Sequence, residues 1–177
     1  MKRDNRGLSL VEIIVVVAIM AALGGSIIIG VGLATGRPAD ECAAKLQSIL
    51  QSSRLSAMGK VDNKIEIYMN AEGYIYVKET VTTATGNGAG SGMADRVTET
   101  RIGERGITFV YTLSNHSTGT LTPGGASLVL SFDRSSGAFN GLEGYPTPVY
   151  CESITISRGS REKTLTLSSL TGKVSLK

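Results

Sequence analysis

The chain has 177 residues, a net charge of +3, 41% hydrophobic and 19% charged residues, the balance of a folded chain with one domain plus an appendage. With one His and two Cys there is no ligand set for a zinc ribbon or cluster. Any Ser-His-Asp or Cys-His arrangement would rest on His116 alone, so no enzyme activity, metal or cofactor is expected.

Residues 1–7 read MKRDNRG, with Lys2, Arg3 and Arg6 against Asp4. From Ile13 to Gly36 no residue is charged over 24 positions. About 20 apolar helical residues span a bilayer core, so this run predicts a transmembrane helix. Basic residues beside a span stay cytoplasmic, which places the chain from about Arg37 onward outside the cytoplasm. A secretory signal peptide is the competing reading, but its apolar run is usually about 7 to 15 residues. The run here is longer and carries Glu12 near its start. A carboxylate there costs a few kcal/mol on insertion scales and is a functional candidate by default.

GLSLVEIIVVVAIMAAL resembles the class III signal of type IV pilins and pseudopilins: a short basic leader ending in Gly, an apolar residue, a Glu five places after the Gly, and an unbroken apolar helix. The resemblance implies cleavage between Gly7 and Leu8 by a membrane-embedded prepilin peptidase, then N-methylation of Leu8. It also maps the family's invariant Glu onto Glu12. Leu8 departs from the commonest Phe, which touches methylation more than cleavage. Gly7 lacks a side chain, so the scissile peptide can lie close to catalytic groups. The new amine at Leu8 would be an expensive unpaired charge in an apolar bundle unless a carboxylate met it. Glu12 of a neighbouring subunit could do so and set the axial register of a filament.

Gly24, Gly25, Gly30, Gly32 and Gly36 each weaken a helix by about 1 kcal/mol relative to Ala and permit close helix approach. Pro38 marks a possible kink. Beyond it Ala39, Cys42, Ala43, Leu46, Ile49, Leu50 and Ala57 form an apolar stripe at three- and four-residue spacing, with Lys45, Gln47, Gln51 and Arg54 turned away. Gly59 is a C-terminal stop. After Lys60 the period becomes two: Ile65, Ile67 and Met69 alternate with polar residues, and Asn70 to Gly73 turns into YIYVKETV. Further strand-like runs are RVTETRI, ITFVYTL, SLVLSF, ESITISR, KTLTLSS and KVSL. The expected fold is α+β, a long N-terminal helix, half transmembrane and half amphipathic, packed on a meandering antiparallel β-rich head. The divisions are leader 1–7, transmembrane and assembly helix 8–36, amphipathic helix 37–59 and head 60–177.

The head, with QSSRLSAMGK, SFDRSSGAF and ISRGSREKTLTLSSLTGKVSL, looks like GspH/FimT-type minor pilins. Arg54 to Ala57 echoes their Arg followed by small residues, and Gly172-Lys173-Val174 their final Gly-turn strand.

Other features carry little chemistry. GNGAGSG, Gly86 to Gly92, lacks the Gly-Lys-Ser/Thr and the following helix of a phosphate loop and reads as a surface loop. His116 lies in a polar turn segment, and Asp133 to Gly137 reads as an Asp-initiated turn. Cys42 and Cys151 fall in the part expected to be exported, where a bridge between them and two buried free thiols are both open. The tail Arg158–Lys177 carries +4, with Arg158, Arg161, Lys163, Lys173 and Lys177 against Glu162. Arg158, Arg161 and Lys163 could contact nucleic-acid phosphates, as in some FimT-like subunits associated with DNA uptake, or simply be solvated edge cations. No aromatic interleaves the tail for base stacking.

The expected function is therefore assembly: a structural minor pilin or pseudopilin of a type IV pilus or type II secretion-like filament. Its expected partners are the prepilin peptidase, sibling subunits, an inner-membrane assembly platform and the lipid bilayer before assembly. The expected location is single-pass in the cell membrane, the head extracytoplasmic, then in the filament.

Overall fold

A computed structural model describes the backbone of residues 10–59, 62–85 and 92–177, with the side chains of residues 10, 21–36, 83–85 and 92–94 excepted. The chain divides into two compact units, Met1–Thr35 and Gly36–Lys177. Helix α1 (Leu10–Met58) contributes its first part to one unit and its last part to the other.

In the second unit α1 buries Ala39, Cys42, Ala43, Leu46, Leu50, Ser53 and Ala57, all at most 1% exposed. These are the three- and four-residue steps that lie on one helix face. The helix continues through Pro38, which removes one backbone donor. It stops at Gly59, whose N–H bonds back to the carbonyls of Leu55 and Ser56 at 3.2 and 3.0 Å.

Among the described residues nine strands follow: β1 (Asp62–Met69), β2 (Ile75–Thr85), β3 (Gly92–Gly103), β4 (Thr108–Leu113), β5 (Thr118–Thr120), β6 (Leu128–Ser131), β7 (Cys151–Arg158), β8 (Arg161–Leu167) and β9 (Val174–Leu176). They form two antiparallel sheets, ordered β3-β2-β1-β6 and β5-β4-β7-β8-β9. Along β1, Asn63, Ile65, Ile67 and Met69 are buried and their neighbours are not. Period two thus turns one face to the core. The helix stripe and the inner faces of both sheets, with Ile75, Phe109, Leu130, Ile154, Ile156 and Leu165 at their centre, make one continuous core.

The end of this core is closed by the turn after β8. Gly172 has φ +63°, and a Cβ built on it would lie 1.7 Å from the carbonyl oxygen of Gly137. No larger residue fits there. Arg54 Nε donates to that same oxygen at 3.2 Å, so the end of α1, the Asp133–Gly137 turn and the turn before β9 meet at one carbonyl.

Several expectations are corrected. Among the described residues no helix is long and apolar enough to cross a membrane. The α+β fold built on a long, half-transmembrane helix is therefore replaced by a strand-rich fold of two antiparallel sheets, and the single-pass membrane location and membrane description go with it. The single meandering sheet is likewise two: β1 takes β6 as its second neighbour and β4 takes β7, pairings that skip across the chain. Strand β5, in a segment read as polar turn, pairs with β4.

Candidate functional site

The cleavage and methylation positions, Gly7 and Leu8, lie outside the described residues. Glu12 sits in the first turn of α1, where a carboxylate favours the helix dipole. Around it the helix is apolar in every direction. Val11, Ile13, Ile14, Val15, Val16, Val17, Ile19 and Met20 are each 46–68% exposed. At about 100° per residue these positions cover the whole helix circumference, so no single groove satisfies them. A shallow hollow of about 160 Å³ beside the carboxylate is lined by Glu12, Ile13, Val16 and Val17. The glycines proposed to soften this helix lie among residues whose side chains are not described.

The two thiols are free and buried. Cys42 packs where β3 ends: a Cβ on Gly103 would come within 3.1 Å of its Sγ and 3.0 Å of Ile75 Cβ. Burial pushes this thiol up to about 12, slightly offset by Lys45. Cys151 begins β7 opposite Leu113, and its Sγ approaches the Ser153 carbonyl at 3.7 Å. Burial, then the Glu152 charge, likewise push it up to about 12. Such thiols are inert rather than reactive.

The β7–β8 hairpin brings Arg158 directly opposite Arg161, and Ile156 opposite Lys163. Direct cross-strand partners share a face, so all three cations continue the face that Ile154, Ile156 and Leu165 bury. Arg161 is exposed, while Arg158 and Lys163 are half-buried. Among the described residues none of the three lies in an ion pair.

His116 occupies the left-handed region, φ 64°, in the β4–β5 turn, where its N–H bonds to the Leu113 carbonyl at 2.9 Å. Asn115 Oδ1 accepts from the Ser117 N–H at 3.1 Å. Among the described residues no group of three His, Cys, Asp or Glu could hold a metal ion. Asp133 Oδ1 accepts from the Ser135 and Ser136 N–H groups at 3.1 and 2.9 Å and from both hydroxyls. These bonds, the hydroxyls first, hold its carboxyl down at about 2. This is an Asp-capped turn. The GNGAGSG segment lies outside the described residues up to Ser91.

Sequence reasoning missed two polar arrangements. Ser53, buried in the helix stripe, donates to Glu79 on β2, and Asn63 reaches the Ser53 carbonyl at 3.5 Å. On the opposite side of the β1–β2–β3 sheet, Arg101 and Arg105 stand 5.0 and 4.8 Å from the Tyr74 ring centre, while Tyr68 and Tyr76 stack at 5.7 Å. The period-two pattern assigned Tyr68, Tyr74, Tyr76 and Arg101 to strands, and nothing in it announced which tyrosine the arginines would cover. No family model, curated protein or solved structure matches the chain.

Proposed function

We propose that the chain is a structural subunit of a filament of the pilus or pseudopilus kind, assembled through the N-terminal part of α1. The observation that carries this reading is the ring of exposed apolar side chains from Val11 to Met20 around the single carboxylate of Glu12. Eight large apolar residues in water are costly, each gaining on the order of 1.5–3 kcal/mol when fully covered. A bundle of the same stretch from sister copies covers every side of it at once. In that bundle cleavage between Gly7 and Leu8 supplies an amine that meets Glu12 of a neighbour, removing an unpaired charge on each side. The partners are then the processing peptidase and sibling subunits.

Glu12→Ala tests this. Processing continues, since the scissile bond lies five residues away, and incorporation of the variant into filaments falls at least about tenfold, the effect of losing roughly 1.4 kcal/mol. Incorporation at the normal level contradicts the pairing.

A second reading concerns the head. Arg158, Arg161 and Lys163 on one face support contact with nucleic-acid phosphates, an electrostatic attraction that weakens with salt. The triple change to Ala should abolish retention of DNA on a native gel; no retention by the unchanged protein removes this reading.

A further inference from the structure

Among the described residues strand β3 forms one edge of its sheet, with no strand paired to the outer side of its backbone. Twelve residues long, Gly92–Gly103 contains no Pro. Every side chain from Asp95 to Arg101 is exposed, Val97 at 53%. Edges of this length are usually blunted by Pro, shortness or charge of one sign. This edge instead carries both signs, as Asp95, Arg96, Glu99 and Arg101.

We propose that β3 pairs antiparallel with β3 of a second copy, about a two-fold axis at Thr98, joining the two sheets edge to edge. An axis perpendicular to the joined sheet keeps each face on its own side, so opposite residues must have the same parity. Centring on Val97 sets Asp95 against Glu99 twice. Centring on Glu99 sets it against itself, and centring on Arg96 does the same for Arg96. Centring on Thr98 puts Asp95 opposite Arg101 twice and opposes no like charges. It also overlaps the two strands over residues 93–103, nearly the whole element. The registers centred on Val97 and Thr98 share the greatest overlap, the charges select Thr98 of the two, and that complementarity names the occupant as the same strand of another copy.

The groups involved are available for exchange. Asp95 accepts from the Thr82 hydroxyl at 2.7 Å. Arg101 lies 3.1 Å from Glu104, with both side chains about half exposed. Exposed contacts of this kind contribute little and yield readily to cross-strand partners. The pairing does not depend on α1, and stands or falls apart from the filament reading.

Oxidation of the full-length Thr98→Cys protein tests it. Directly opposite Cα atoms lie about 4.5–5.5 Å apart, within the span a disulfide bridges, so a covalent dimer linked at position 98 is expected. Val97→Cys, whose copies would stand diagonally about 7–8 Å apart, should cross-link far less. In the Thr98→Cys background, Asp95→Arg should weaken the cross-link about tenfold by opposing two like pairs, and adding Arg101→Asp should restore it. Association through the Val11–Met20 stretch is blind to this charge swap and cannot imitate the rescue. Absence of the dimer linked at position 98, equal linking at position 97, or failure of the swap to restore the link overturns the proposal.

Discussion

At the scale of single residues, the two cysteines and the Gly172 turn are the most sharply constrained positions. Cys42 and Cys151 stay protonated in the fold up to about 12, whereas an ordinary thiol ionises near 9.0. Between those values the unfolded chain binds fewer protons than the folded one, so stability falls as pH climbs from about 9 towards 12. Denaturant midpoints measured across that range should decline, and Cys42→Ala should flatten part of the decline. Neither thiol should react with a maleimide in native buffer, and both should react in urea. Asp133 has the opposite sign. Its carboxyl titrates at about 2 instead of 3.8, so the turn's contribution is present above 3.8 and is lost as pH falls through 2. Gly172→Ala drives a methyl into the Gly137 carbonyl at a positive φ; a loss of about 3 kcal/mol or more is expected from urea unfolding. Sequence pattern marked a glycine turn there, but the nearness of Gly137, thirty-five positions away, is a tertiary fact that no local spacing encodes. The state of the cysteines was open for the same reason.

At the scale of elements, what was legible is what local periodicity controls. The stripe from Ala39 to Ala57 follows the helical period, and its residues are buried except Ile49, which is half-buried, with Ser53 buried beside them. Strands β1, β2, β4, β7 and β8 lie where β-branched and aromatic residues alternate with polar ones. Strand β5 is three residues, Thr-Gly-Thr, too short to show a period. Sheet order was not legible, because β4–β7 pairing joins Phe109 to Ile156, and only the shared core decides between that and a simple meander. The membrane-spanning reading rested on an apolar count over 24 positions, and no helix among the described residues meets the requirement for a span. The amphipathic part of α1 is held by packing, so Leu46→Ala, at a fully buried site, should cost about 2–5 kcal/mol in the same unfolding assay. Leu55→Ala, 69% exposed on the opposite face of the helix, should fall within about 0.5 kcal/mol of the unchanged protein.

At the scale of the whole molecule, chemistry is concentrated at surfaces rather than in a cleft. Lys78–Glu66 and Arg105–Glu72 are exposed ion pairs, Asp133 caps a turn, Glu79 and Arg54 bind groups of the fold, and the thiols are buried. Three surfaces remain for partners: the apolar ring around Glu12, the cationic hairpin face at Arg158, and the β3 edge. Candidate residues at the first two were legible because charge and hydropathy are written along the chain. The third was not, since a strand reveals itself as an edge only once its neighbours are known. The filament reading joins the apolar ring to a processing event, and that event leaves a covalent trace. Mass spectrometry of the mature N-terminus, on protein isolated from its native host, therefore bears on it most directly. A chain beginning at Leu8 and carrying one added methyl group is the expected result. A chain that still begins at Met1, or one that starts beyond the apolar run, would contradict assembly through Glu12 and a neighbour's amine.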